Sequence, residues 1–75
     1  MNGDKMFYVI RFTYPNGIEG EEMENETDEF KNADEAIDFA HENTFGLEFA
    51  GTLIENDNGD TIYEITSDMA IVDHR

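Results

Sequence analysis

The sequence predicts an α+β fold, a small antiparallel sheet with one packed helix in the order β-β-α-β-β. Three observations carry this. Met6 to Tyr14 is rich in aromatic and β-branched residues, as strands are. Asn32 to Gly46 repeats its apolar residues at helical spacing between two capping signals. Asp57-Asn58-Gly59 separates two short apolar segments in the way a hairpin turn does. Seventy-five residues make a single domain, since domains usually run from about 50 to 250 residues. Residues 1–5 are polar and expected to fray, which leaves 6–75 as that domain.

Taken in order, the first strand has two faces. Tyr8, Ile10, Phe12 and Tyr14 alternate with Phe7, Val9, Arg11 and Thr13. Pro15-Asn16-Gly17 then supplies a turn, because Pro presets φ while Asn and Gly tolerate positive φ. Between Ile18 and Phe30 the composition becomes acidic, with only Met23 and Phe30 to anchor it, and part of the segment is expected to pair back on the first strand. In the helix, Asn32 is the N-cap and Glu35, three residues on, completes a capping box. Ala33, Ala36, Ile37, Ala40 and Thr44 make its buried stripe, with Phe39 on the shoulder and Gly46 in the left-handed position past the last turn. Phe49–Glu55 and Asp60–Thr66 flank the second turn. A two-residue Asn58-Gly59 loop puts Ile54 opposite Tyr63 and Thr52 opposite Ile65, on the helix side. Met69 to Asp73 is expected to add a short edge strand, and His74 falls in the tail.

Charge excludes more than any motif does. The chain carries 19 Asp and Glu against 4 Lys and Arg, for a formal net charge of −15. Direct binding of DNA or RNA needs clustered Lys and Arg, and so does an anionic membrane surface. Neither is expected as a ligand. No cysteine is present, which removes disulfides, thiolate nucleophiles and zinc–thiolate sites. The apolar run from Met6 to Ile10 is far too short to span a bilayer, and the features of a secretory signal are missing, so the expected compartment is the cytoplasm.

Catalytic and metal-binding patterns do not assemble. An EF-hand register with Gly59 at its sixth position begins and ends on isoleucines, Ile54 and Ile65, which cannot ligate calcium. Asp38 and His41 have the spacing of half a di-metal carboxylate motif, but such sites draw on several helices and this chain offers one. Ser67 is the one serine, with no base placed beside it by any recognisable pattern. The glycines are scattered and form no phosphate loop. The expectation is therefore no enzyme, no cofactor and no metal.

The acidic residues are what need explaining. Glu19, Glu21, Glu22, Glu24, Glu26, Asp28 and Glu29 form one cluster without a basic residue among them. Extended, Glu22, Glu24, Glu26 and Asp28 point to one side at a spacing of about 6.6 Å, twice the strand rise. A nucleic-acid strand carries one phosphate per roughly 3.4 Å of axial rise, so the scale is comparable. On the helix, Asp34, Asp38 and Glu42 stand at i, i+4 and i+8, where like charges cost roughly 0.2–0.5 kcal/mol per pair. Solubility alone asks for a net charge of about 2–8 in a small domain, and −15 exceeds it. Adaptation to a salt-saturated cytoplasm is the other structural explanation of an acidic surface. The expected contact surface is the 19–29 cluster, extended by Asp34, Asp38 and Glu42.

In size, absence of cysteine and charge density, the chain resembles the phage-encoded DNA mimics, including several anti-CRISPR proteins that block guide-RNA-directed nucleases. The resemblance covers the whole chain as composition and size and brings no motif, so no residue role is carried over. It implies an inhibitor of host defence that occupies the basic nucleic-acid-binding cleft of a nuclease, CRISPR effector or toxin in the host cytoplasm. The first strand ending in Tyr14-Pro15-Asn16-Gly17, followed by Phe30-x-Asn32-Ala33-x-Glu35-Ala36-Ile37, is similar to HicB-type antitoxins. That resemblance implies the alternative, an antitoxin or immunity protein neutralising a basic toxin or nuclease. The cysteine and glycine signature of those antitoxins after the first strand is absent here, and the chain leaves no room for a DNA-binding domain. A plain acidic protein-interaction module is the third reading.

Overall fold

The computed structural model describes residues 6–14, 24–43 and 49–75. The elements run β1 (Phe7–Thr13), β2 (Glu24–Phe30), α1 (Ala33–Glu42), β3 (Phe49–Glu55), β4 (Thr61–Ile65) and β5 (Ile71–Asp73). All five strands join one antiparallel sheet in the order β2-β1-β3-β4-β5, an α+β fold as the sequence predicts. Both β2 and β3 are antiparallel to β1 and lie on either side of it. The β2–α1–β3 connection therefore crosses β1, a split βαβ unit, and lays the helix on one broad face of the sheet.

Register decides what the helix covers, because residues directly opposite each other share a face. One row runs Asp28–Val9–Ile54–Tyr63–Asp73, and the next runs Glu26–Arg11–Thr52–Ile65–Ile71. Val9, Ile54, Tyr63 and Ile65 from these rows join Ala36, Ala40 and Phe49 in the buried core. Fully burying a side chain such as Val9 or Ile54 is worth roughly 1.5–3 kcal/mol. Ala36 and Ala40, both fully buried, are small enough to let the helix backbone approach the sheet. Around them Phe7, Phe30, Ile37, Phe39 and Ile62 are half-buried.

The helix starts where its cap directs. Asn32 Oδ1 accepts hydrogen bonds from the backbone N–H groups of Asp34 (2.7 Å) and Glu35 (3.3 Å), satisfying two of the donors a helix start leaves unpaired. Its end is a correction: the helix stops at Glu42, before the expected Gly46. Asn43 leaves helical geometry at φ −113°, ψ 15°, and its side-chain Nδ2–H donates to the Phe39 carbonyl at 2.8 Å. An asparagine thus supplies the stop, in place of the expected glycine. Thr44, Gly46 and the Pro15-Asn16-Gly17 turn lie outside the described residues.

The β3–β4 turn reaches the expected register by an unexpected route. Ile54 pairs with Tyr63 and Thr52 with Ile65, on the helix side. The loop, however, has three residues rather than two: Asn56 N–H donates to the Asp60 carbonyl (2.9 Å) and Gly59 N–H to the Asn56 carbonyl (3.0 Å). Gly59 takes φ +85°, the left-handed position that closes a type I turn with a bulge. A second irregularity between Ile54 and Glu55 restores the pairing that the two-residue loop would have given. The β4–β5 turn repeats the geometry, with Thr66 N–H bonded to the Ala70 carbonyl and Met69 at φ +71°. His74 is no tail residue, since its N–H donates to the Ile62 carbonyl at 3.0 Å and extends the β4–β5 ladder.

Candidate functional site

Strand β2 and helix α1 position most of the described carboxylates singled out from sequence. Glu24, Glu26 and Asp28 pair with Thr13, Arg11 and Val9, so they lie on the helix side of the edge strand. Glu29 pairs with Tyr8 and belongs to the opposite face. Glu19, Glu21 and Glu22 lie outside the described residues. On the helix, Asp34, Asp38 and Glu42 are exposed. At 3.6 residues per turn Asp38 stands roughly opposite the buried Ala36–Ala40 seam. The two acidic stripes thus share one side of the sheet, one along its β2 edge and one on the outer surface of the helix.

The stripes differ in how far their charge is compensated. Arg11 lies between them, with its guanidinium 5.4 Å from the centre of the Phe39 ring. Its Nη2 reaches Glu26 at 2.7 Å and Asp28 at 3.8 Å. Phe39 packs in turn against Phe30, with ring centres 5.0 Å apart and the rings tilted by 46°. One cation therefore offsets two of the three described carboxylates on that side of β2. Asp38 and Glu42 make no ion pair among the described residues, and Asp34 has only Arg75 at 3.9 Å.

The far edge of the sheet is held by a second cation. Arg75 donates to Asp73 through Nε (3.1 Å), Nη2 (2.9 Å) and its backbone N–H (2.9 Å), and lies over the Tyr63 ring. These bonds pull the Asp73 carboxyl down to about 2 and hold the Arg75 guanidinium above its usual value. Asp68 is also lowered, by the Thr66 hydroxyl first and the Ala70 N–H second. His41, paired with Asp38 as a metal candidate in sequence, instead shares a 2.8 Å hydrogen bond with the Tyr63 hydroxyl and ties α1 to β4. In the Asp57–Asp60 turn, Asn56 Oδ1 accepts from the backbone N–H groups of Asn58 and Asp60. Among the described residues no three His, Asp or Glu side chains are placed to hold a metal ion. Nor, among them, is any helix long and apolar enough to cross a membrane.

Sequence reasoning left one surface unassigned. The face of the sheet opposite the helix carries Tyr8, Ile10 and Phe12 from β1 and Leu53 from β3, all half-buried. A signal for it exists in β1, whose apolar residues occur on both faces, whereas one helix can cover only one. Comparisons with protein-family models, curated proteins and solved structures found no match. The fold and its surfaces define a class by themselves: an α+β domain whose described residues form one helix on a five-stranded sheet, with a strongly acidic helix side and an aromatic, aliphatic side on which no described element packs.

Proposed function

We propose that the protein is an acidic nucleic-acid mimic that occupies the basic nucleic-acid-binding cleft of a protein partner and inhibits it. The partner class is a nuclease, a guide-RNA effector or a toxin, and the resemblance to phage inhibitors of host defence implies action in a host cytoplasm. The observation that supports this reading is the presence of both acidic stripes on one side of the sheet. Glu24, Glu26 and Asp28 follow the edge strand, Asp34, Asp38 and Glu42 follow a helix beside it, and together they extend over two elements. Such a surface steers toward a positive groove and displaces the anions that nucleic acid would displace. Glu19, Glu21 and Glu22 continue the first stripe in sequence and are proposed to act with it, whereas Glu29 lies on the opposite face and is not part of it.

Competition tests the reading. Immobilised protein is expected to capture its partner from a lysate at about 50 mM salt and to release it to added duplex DNA or RNA, or at about 500 mM salt. Charge reversal of Asp34, Asp38 and Glu42 to Lys should slow capture with circular dichroism unchanged. A partner that holds this protein and its nucleic acid together excludes occupancy of the cleft. That result would favour the antitoxin or immunity reading instead.

A further inference from the structure

We infer that the open face of the sheet docks a basic amphipathic helix of a partner protein, seated on Ile10, Phe12 and Leu53 between Glu29 and Glu64. This docking does not depend on nucleic-acid mimicry, which concerns the other side of the sheet. The pairing fixes the layout of the face. One row runs Glu29–Tyr8–Glu55, the next Thr27–Ile10–Leu53–Glu64–Val72, and a third Asn25–Phe12–Gly51. Its centre is aromatic and aliphatic, and its rim carries Glu29, Glu55 and Glu64 among the uncharged Asn25, Thr27 and Val72.

Charge selects the occupant. None of the paired residues on this face is Lys or Arg, and among the described residues Glu64 has only the His74 ring near it, at 3.7 Å. A second copy of this chain would bring Glu29, Glu55 and Glu64 against their own kind, so self-association is disfavoured and a basic partner is favoured. Dimensions select a helix. Glu29 on β2 and Glu64 on β4 are three strand spacings apart, about 14 Å. A helix is about 10–12 Å across with its side chains, so one fits between the two carboxylate flanks. A hollow of about 290 Å³ beside Phe12, Gly51, Leu53 and Glu64 gives one of its apolar side chains a place to enter. An apolar centre within a more polar rim is also the common layout of protein interfaces. Docking there completes a second layer over the sheet, matching the one that α1 makes on the other side.

Methyl and aromatic NMR spectra of the full chain decide it, with a Leu/Lys amphipathic helical peptide of about 18 residues as probe and an oligolysine of equal charge as control. The Leu/Lys helix should shift the Ile10 and Leu53 methyls and the Tyr8 and Phe12 rings, while oligolysine leaves those signals in place. The double variant Ile10→Thr/Leu53→Thr should weaken the Leu/Lys peptide about tenfold or more without changing oligolysine affinity. Should that variant fail to fold by circular dichroism, the shift map of the wild-type chain decides alone. Equal affinity for the two peptides, with shifts confined to the helix side, would overturn the inference. So would concentration-dependent shifts of the same methyls in the chain alone, which mark a dimer. Neither result touches competition with nucleic acid, which is read separately on the acidic side.

Discussion

Thr52 lies in the middle of a helix-side row, between Arg11 and Ile65, at 1% exposure. Among the described residues its hydroxyl has no hydrogen-bond partner, so the fold carries a desolvated polar group with nothing in return. Thr52→Val keeps the branched shape and removes the group, and should raise the unfolding free energy by about 1 kcal/mol in urea titration. A loss of stability would show that the hydroxyl is satisfied in solution. Asp73 makes a prediction in pH. Its folded pKa of about 2 lies below the ordinary 3.8, so its contribution is complete above about pH 4 and is lost as the pH falls through 2. The stability gap between wild type and Asp73→Asn should therefore be level from neutral pH down to about 4 and then close toward 2. A gap independent of pH would mean that the Arg75 clamp opens in solution.

The two hairpin turns invite comparison as elements. Asn56 to Asp60 and Thr66 to Ala70 make equivalent backbone bonds, yet the left-handed residue is Gly59 in the first and Met69 in the second. A side chain in that conformation costs roughly 1–2 kcal/mol, part of which glycine gives back through a freer unfolded chain. Met69→Gly is expected to stabilise the protein by about 0.5–1 kcal/mol, read as a higher midpoint in thermal melting with the sheet unchanged. A lower midpoint would show that the Met69 side chain packs in solution. The same contrast marks how far the sequence could be read. Asn-Gly declares a turn through residue type, whereas Ser67-Asp68-Met69 carries no glycine, so β5 was legible only as a short apolar run. The helix start was legible because the Asn32 cap is local chemistry. Its end was not, because Asn43 closes it with a side-chain bond to Phe39 that residue spacing does not specify. Alternation already set Glu26 and Asp28 apart from Glu29, but which of the two sets faces the helix was hidden, since it depends on which residue of β1 lies opposite. That pairing gives Arg11 its two carboxylates.

Across the whole molecule the net charge of −15 sets the response to salt. The carboxylates of β2 and α1 share one side of the sheet and repel in the folded state more than in the open chain. Raising the salt from about 10 mM to 500 mM should raise the melting temperature by screening. An unchanged temperature would mean that the Arg11 and Arg75 clamps already neutralise what matters. The position of β1 has a consequence for the order in which the chain can be completed. Residues 7–13 are made early, yet they form an interior strand whose two neighbours are residues 24–30 and 49–55. During synthesis, which proceeds from the N-terminus, the most apolar strand must wait with one side bare until residue 55 has left the ribosome. Until then β1 has only β2 to pair with, which leaves an open seam along one edge of the pair and the acidic strand along the other. The early placement of carboxylates beside β1 then keeps unfinished copies apart for as long as the seam is open.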